Sequence, residues 1–173
     1  MMLLLGLVLL PNRASAQQAP PLEAQVKAAF LFNFAKFVEW PAGSFADAKA
    51  SLCIGVLGEN RVGPDLEKFV HEKTLNNRSI TVKECRTLDE AKNCHLIFIS
   101  VSEKKRLREI FAGLDGTNVL TVGETEEFIQ SGGMINLFRE GNKFRFEIND
   151  PAAKKAGLKI DSKLLELSRK PAN

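Results

Sequence analysis

The stretch NCHLIFISVSEKKRLREIFAGLDGTNVLTV, residues 93–122, decides the fold. Its first part, HLIFIS (residues 95–100), is an unbroken apolar run of strand length. Such a run belongs to a strand covered on both faces. Ser102 then stands where a helix cap belongs, with Glu103, Lys104 and Lys105 just inside the helix. Leu107, Ile110, Phe111 and Leu114 follow at helical spacing and share one side. NVLTV (residues 118–122) is a second strand. Strand, helix and strand in succession imply parallel pairing with a right-handed crossover.

The same grammar extends in both directions. Upstream, LCIGVL (residues 52–57) reads as a short buried strand. A turn-rich link leads to a helix with Pro64 near its start, running to about Lys73, with Leu66, Phe69 and Val70 as its apolar side. RSITVK (residues 78–83) alternates and is β-branched, which predicts a strand, and a helical turn follows over residues 88–92. Before all of these lies LEAQVKAAFLFNFAKFVEW (residues 22–40). Its apolar positions cover most of a helix circumference, so it is buried on several sides. Pro41 stops it, and residues 41–50 form a loop.

Downstream, residues 124–130 read as a short helix ended by Ser131, Gly132 and Gly133. Two strands then meet at the turn Gly141-Asn142. That two-residue loop sets Glu140 opposite Lys143, Leu137 opposite Phe146 and Ile135 opposite Ile148. Asn136, Phe138, Arg145 and Glu147 share the other face. Asp150-Pro151 starts a helix that ends at Gly157. Asp161-Ser162 starts the last one, with Leu164, Leu165 and Leu167 facing inward. The expected architecture is α/β: a three-layer sandwich around a mostly parallel sheet, flavodoxin-like in outline, closed by an antiparallel hairpin. A single domain spans residues 22–169, with no internal repeats, and residues 170–173 are a frayed tail.

Leu3 to Leu10 are almost wholly apolar, and Ala14-Ser15-Ala16 follows a short polar stretch. That layout predicts a secretory signal over residues 1–16, although no Lys or Arg precedes the apolar run. Residues 17–21 are polar and contain proline, and read as a disordered linker. The 173-residue chain carries 24 Lys and Arg against 21 Asp and Glu, a net charge of +3. Loss of Arg13 with the signal leaves it lower still. So small an excess, alternating in sign along the chain, argues against nucleic acid as a partner. The domain that follows is predicted to be exported.

Candidate chemistry is sparse. Gly55, Gly58 and Gly63 follow a strand and precede a helix, but their spacing matches no phosphate-binding loop. His71 and His95 are the only histidines, and no CxxC occurs. Cys94 and His95 are adjacent on a strand and point to opposite faces, which speaks against a shared metal ion. No nucleophile is accompanied by a histidine in a known catalytic pattern. Neither a cofactor nor catalysis is expected. The three cysteines, Cys53, Cys85 and Cys94, suit one bridge and one spare thiol in an exported protein. Cys53 and Cys94 both lie at the starts of parallel strands; if those strands are neighbours, the two sulfurs fall at the same sheet end within bridging range, which favours a Cys53–Cys94 bridge. Cys85 closes a strand and falls at the opposite sheet end; Cys85–Cys94 is the rival pairing. On the hairpin, Asn136, Arg145 and Glu147 around Phe138 form either a solvated strand face or a partner-binding surface.

KAAFLFNFAKFVEWP, LCIGVLG, NCHLIFIS and the block GGMINLFREGNKFRFEINDPAAKKAGLKIDSKLLELSR together resemble the YfiR-like periplasmic family, in the same order and spacing. The resemblance implies a small periplasmic α/β regulatory protein, often a homodimer. It implies repression of an inner-membrane diguanylate cyclase by binding its periplasmic sensor domain. Cyclic-di-GMP signalling and biofilm formation would fall as a result. An outer-membrane lipoprotein that sequesters the repressor is a further implied partner. Carried over by position, Cys53 and Cys94 match cysteines that pair in such proteins. The family's second pair, flanking residues 129–136, is absent. Glu147 and Asn149 match polar positions of the family's terminal strand. The alternative is a periplasmic small-molecule sensor with its pocket at the carboxyl ends of the parallel strands, near Gly58, Ser100 and Gly123.

Overall fold

The computed structural model describes residues 21–59 and 61–170, so the expected signal at residues 1–16 lies outside it. Helix α1 (Pro21–Lys36) starts on the proline that the sequence assigns to a linker. Proline suits a first helical turn, where its missing N–H costs nothing. Ala28, Leu31, Phe34 and Ala35 are fully buried along it. The helix stops four residues before Trp40, earlier than the apolar pattern predicts. The chain instead enters β1 (Val38–Glu39), whose partner lies near the other end of the sequence. That partner is not visible to any local reading.

Next come β2 (Leu52–Leu57), α2 (Gly63–Val70), β3 (Thr74–Leu75), β4 (Arg78–Cys85), α3 (Leu88–Lys92) and β5 (Leu96–Ile99). A 3₁₀ turn over Val101–Arg106 leads into α4 (Leu107–Leu114), then β6 (Leu120–Gly123). The hairpin is β7 (Ile135–Glu140) and β8 (Lys143–Ile148). The chain closes with α5 (Asp150–Lys155), β9 (Lys159–Ile160) and α6 (Ser162–Leu167). β9 is the antiparallel partner of β1, with Val38 opposite Ile160.

Seven strands line up in the order β3-β4-β2-β5-β6-β7-β8. β4, β2, β5, β6 and β7 are parallel; β3 and β8 run antiparallel at the two edges. Among the parallel strands this is the flavodoxin-like order. The hairpin register agrees with the sequence reading pair by pair. Gly141 supplies the positive φ, 59°, that its turn requires.

Two cores flank the sheet. On one face Ile54, Val56, Leu96, Phe98, Val122 and Leu137 pack against α1, α2, α5 and α6. On the other, Leu57, Ile97 and Ile99 pack against α3, α4 and the Phe128 ring. These are the three layers expected. Three local readings differ. Residues 124–133 form hydrogen-bonded turns rather than a helix, because Phe128 folds back onto Gly123 and Gly133. Ser102 does not cap a helix; its Oγ accepts the Glu59 N–H at 3.0 Å. Leu167 is 72% exposed rather than inward.

Candidate functional site

The hairpin face opposite the larger core carries the predicted partner residues. Asn136 is buried and its Nδ2 donates to Glu147 Oε1 at 3.1 Å, as their register pairing allows. Phe138 is half-buried and faces Arg145 across the strands. Arg145 is exposed, with its Nε 3.4 Å from Glu140 Oε2. Asn149 stands apart from these four: its Oδ1 accepts the Ala152 N–H at 3.2 Å and caps α5. Its place in the sequence is accounted for by that cap.

Sequence reasoning missed the residue that completes this face. Arg169 extends beyond α6 and forms a parallel bridge with Glu147. Its N–H donates to Phe146 O at 2.9 Å, covering part of the β8 edge. Its guanidinium lies 5.3 Å from the Phe138 ring centroid and 3.5 Å from Glu140 Oε1. An aromatic ring thus sits inside a rim of Glu140, Arg145, Glu147 and Arg169. Nothing in the sequence marks Arg169, because the contact closes over a long chain separation.

An ion cluster ties α1 to the sheet near the hairpin. Lys27 is 9% exposed, and its Nζ lies 2.7 Å from Glu23 Oε1 and 2.5 Å from Glu124 Oε2. Burial works against the Lys27 charge, but the hydrogen bonds to Glu124 and Glu23 outweigh it and hold its pKa above the ordinary value. Arg139 reaches Glu23 at 3.2 Å and stacks near Phe144. A buried lysine is held charged only by such paired carboxylates.

The predicted cysteine pair does come together. Cys53 Sγ and Cys94 Sγ lie 2.6 Å apart. Cys85, expected at the opposite sheet end, brings its Sγ to 4.0 Å from Cys94. Gly55 makes this convergence possible, since a Cβ there would sit 2.9 Å from the Cys85 sulfur and 3.0 Å from the Cys94 sulfur. The hydrogen bond between the Cys53 and Cys94 sulfurs, with the Thr81 hydroxyl and Lys83, draws the Cys53 thiol down to about 7. The same hydrogen bond pushes Cys94 up, and burial pushes Cys85 up.

His95 is a satisfied structural histidine. Its Nδ1 accepts the Cys53 N–H at 3.0 Å, so the proton is assigned to Nε2, which donates to Ser44 O at 3.0 Å. The ring stacks on Phe45 at 4.2 Å, and Arg78 caps the far side of Phe45. Burial holds its pKa below the usual histidine value.

At the carboxyl ends of the parallel strands, side chains pack against two of the glycines. Ser102 and Glu103 close against Gly58, and Phe128 lies over Gly123. One groove of about 440 Å³ opens elsewhere, between the end of α4 and α5, lined by Phe111, Asp115, Thr121, Met134 and Ala156. Among the described residues no His, Cys, Asp and Glu group could hold a metal ion, and no helix is long and apolar enough to cross a membrane.

Residues 24–169 match the DUF4154 family model, described as YfiR/HmsC-like. The chain belongs to this family. It is a family of periplasmic regulators of diguanylate cyclase signalling, regulatory rather than catalytic. Two solved structures are similar in fold. One is a conserved domain protein from Vibrio cholerae O1 biovar El Tor, with TM-score 0.55, 9% identity and 85% of this chain covered. The other is an ABC domain from Streptococcus pneumoniae in complex with L-Trp, with TM-score 0.52, 10% identity and again 85% covered. In each case the chain spans 59% of the other protein's length. At that identity the likeness is one of fold alone, and it agrees with the α/β architecture of this YfiR/HmsC-like chain.

Proposed function

We propose that this chain, exported by residues 1–16, is a periplasmic repressor of an inner-membrane diguanylate cyclase. It binds the cyclase's periplasmic sensor domain and lowers cyclic-di-GMP output. The mechanism is differential affinity: tighter binding to the inactive arrangement shifts the population toward it. The observation that supports this reading best is Phe138, an aromatic ring left half-open inside a rim of paired charges. Interface hot spots have this anatomy, an aromatic anchor surrounded by polar groups that exclude water. Ser102 and Glu103 packed against Gly58, and Phe128 against Gly123, weigh against a small-molecule pocket at those two positions.

The test uses Phe138→Ala and Arg145→Glu. Each should weaken capture of the cyclase's periplasmic domain by about 30-fold or more, the loss typical of a central anchor. Thermal midpoints should stay close to wild type, because neither side chain belongs to a buried core. Cellular cyclic-di-GMP should rise in strains carrying either variant. Unchanged capture by both variants would reject this surface. Unchanged cyclic-di-GMP on deletion of the gene would reject the function.

A further inference from the structure

The convergence of all three sulfurs goes beyond a single structural bridge and is independent of the proposed function. Cys94 is the common neighbour: 2.6 Å from Cys53 and 4.0 Å from Cys85. The sulfurs gather over Gly55, the one position on that face of β2 with no side chain to separate them. Cys53 is half-buried, whereas Cys85 and Cys94 are buried. We propose that Cys94 is the hub of a thiol–disulfide exchange site, bonding alternately to Cys53 and to Cys85, with Cys53 as the outer thiol that takes up a small disulfide such as oxidised glutathione.

The chemistry balances without a metal or a further reagent. The Cys53 thiolate attacks glutathione disulfide, forms a mixed disulfide and expels one glutathione thiolate, which takes a proton. Cys94 then loses its proton and attacks the Cys53 sulfur. The Cys53–Cys94 bond forms as the second glutathione leaves, so the protein gives up two electrons to the glutathione pair. In the exchange step the Cys85 sulfur attacks Cys94. The Cys85–Cys94 bond forms, the Cys53–Cys94 bond breaks, and its electron pair leaves on Cys53, which receives the proton given up by Cys85. No net oxidation accompanies that step. The lowered thiol pKa of Cys53 suits both of its roles, as entering thiolate and as leaving group. The two bonded forms differ in what they expose. With Cys53–Cys94 closed, the spare thiol is the buried Cys85; with Cys85–Cys94 closed, it is the half-exposed Cys53.

Trypsin separates the three cysteines, since cleavage after Lys49, Arg61, Lys83, Arg86, Lys92 and Lys104 leaves them in peptides 50–61, 84–86 and 93–104. The folded wild-type protein is equilibrated with oxidised and reduced glutathione, quenched in acid, blocked with a maleimide in denaturant and mapped without reduction. The expected map contains 93–104 linked to 50–61 and also linked to 84–86, the second carrying at least about a tenth of the linked Cys94. In Cys94→Ser, glutathione should remain on Cys53 and not on Cys85. A wild-type map in which Cys85 is blocked in every molecule at every glutathione ratio would overturn the proposal. So would glutathione found on Cys85 in Cys94→Ser. The wild-type map needs no variant to fold.

Discussion

The two faces of the sheet are built on different terms. Toward α1, aromatic and aliphatic side chains pack together: the Phe34 ring lies 5.8 Å from Phe30 and 5.2 Å from Phe146, and the buried cluster runs from Ala28 to Leu164. Toward α3 and α4, the strands present glycine at positions 55 and 123, and sulfur or a folded-back Phe128 fills the space. Past the reach of α4, the same face is open around Phe138. The closed face supplies stability. The other leaves room for thiol chemistry and for contact with another molecule. Burial of apolar area is roughly additive, whereas reactive and recognising groups need incomplete cover.

Variants should separate the faces. Phe34→Ala should do most harm, about 3–5 kcal/mol of unfolding free energy, read from urea titrations. A much smaller loss would mean that the α1 face is less tightly packed than the ring contacts indicate. Gly55→Ala should cost about 1–3 kcal/mol by overpacking on the opposite face. It should also slow oxidation of the cysteines, measured by maleimide trapping, because the new methyl would occupy the space where the sulfurs meet. Asn149→Ala removes the cap of α5 and should cost about 1 kcal/mol in the same titrations, with partner capture unaffected. Retained stability with lost capture would instead return Asn149 to the partner surface.

The smallest effect is a pH dependence at His95. Its folded pKa is lowered by burial, so between that value and the ordinary one the unfolded chain binds more protons. Stability should therefore be full above the ordinary histidine pKa and decline as pH falls below it. The His95→Gln variant should flatten the fall in thermal midpoint on going from about pH 7.5 to about pH 5.5. An unchanged slope would show that His95 takes up its proton as readily when folded as when unfolded.

The hairpin was legible in detail because its information is local. Alternating side chains choose the face, and Gly141 permits the turn that sets the register. The parallel strands were legible as apolar runs for the same reason. The end of α1 was not, since Val38 and Glu39 leave the helix to pair with Lys159 and Ile160. The segment 124–133 also misled, because helical spacing there competes with packing of Phe128 onto two glycines. At the candidate site, Asn136, Phe138, Arg145 and Glu147 were placed on one face by periodicity alone. Arg169 was not, and without it the rim around Phe138 is incomplete.

By itself the amino-acid sequence determined the α/β class, the hairpin register, the shared face of Asn136, Phe138, Arg145 and Glu147 on β7 and β8, and the proximity of Cys53 to Cys94. Each follows from side-chain period or from neighbouring strands of like direction. Only the tertiary structure decided where α1 ends, that Asn149 caps a helix, that Arg169 closes over Phe138, and that Cys85 joins the other two sulfurs. Those outcomes depend on groups far apart in the chain, and on which pairing wins when local preference and distant contact disagree.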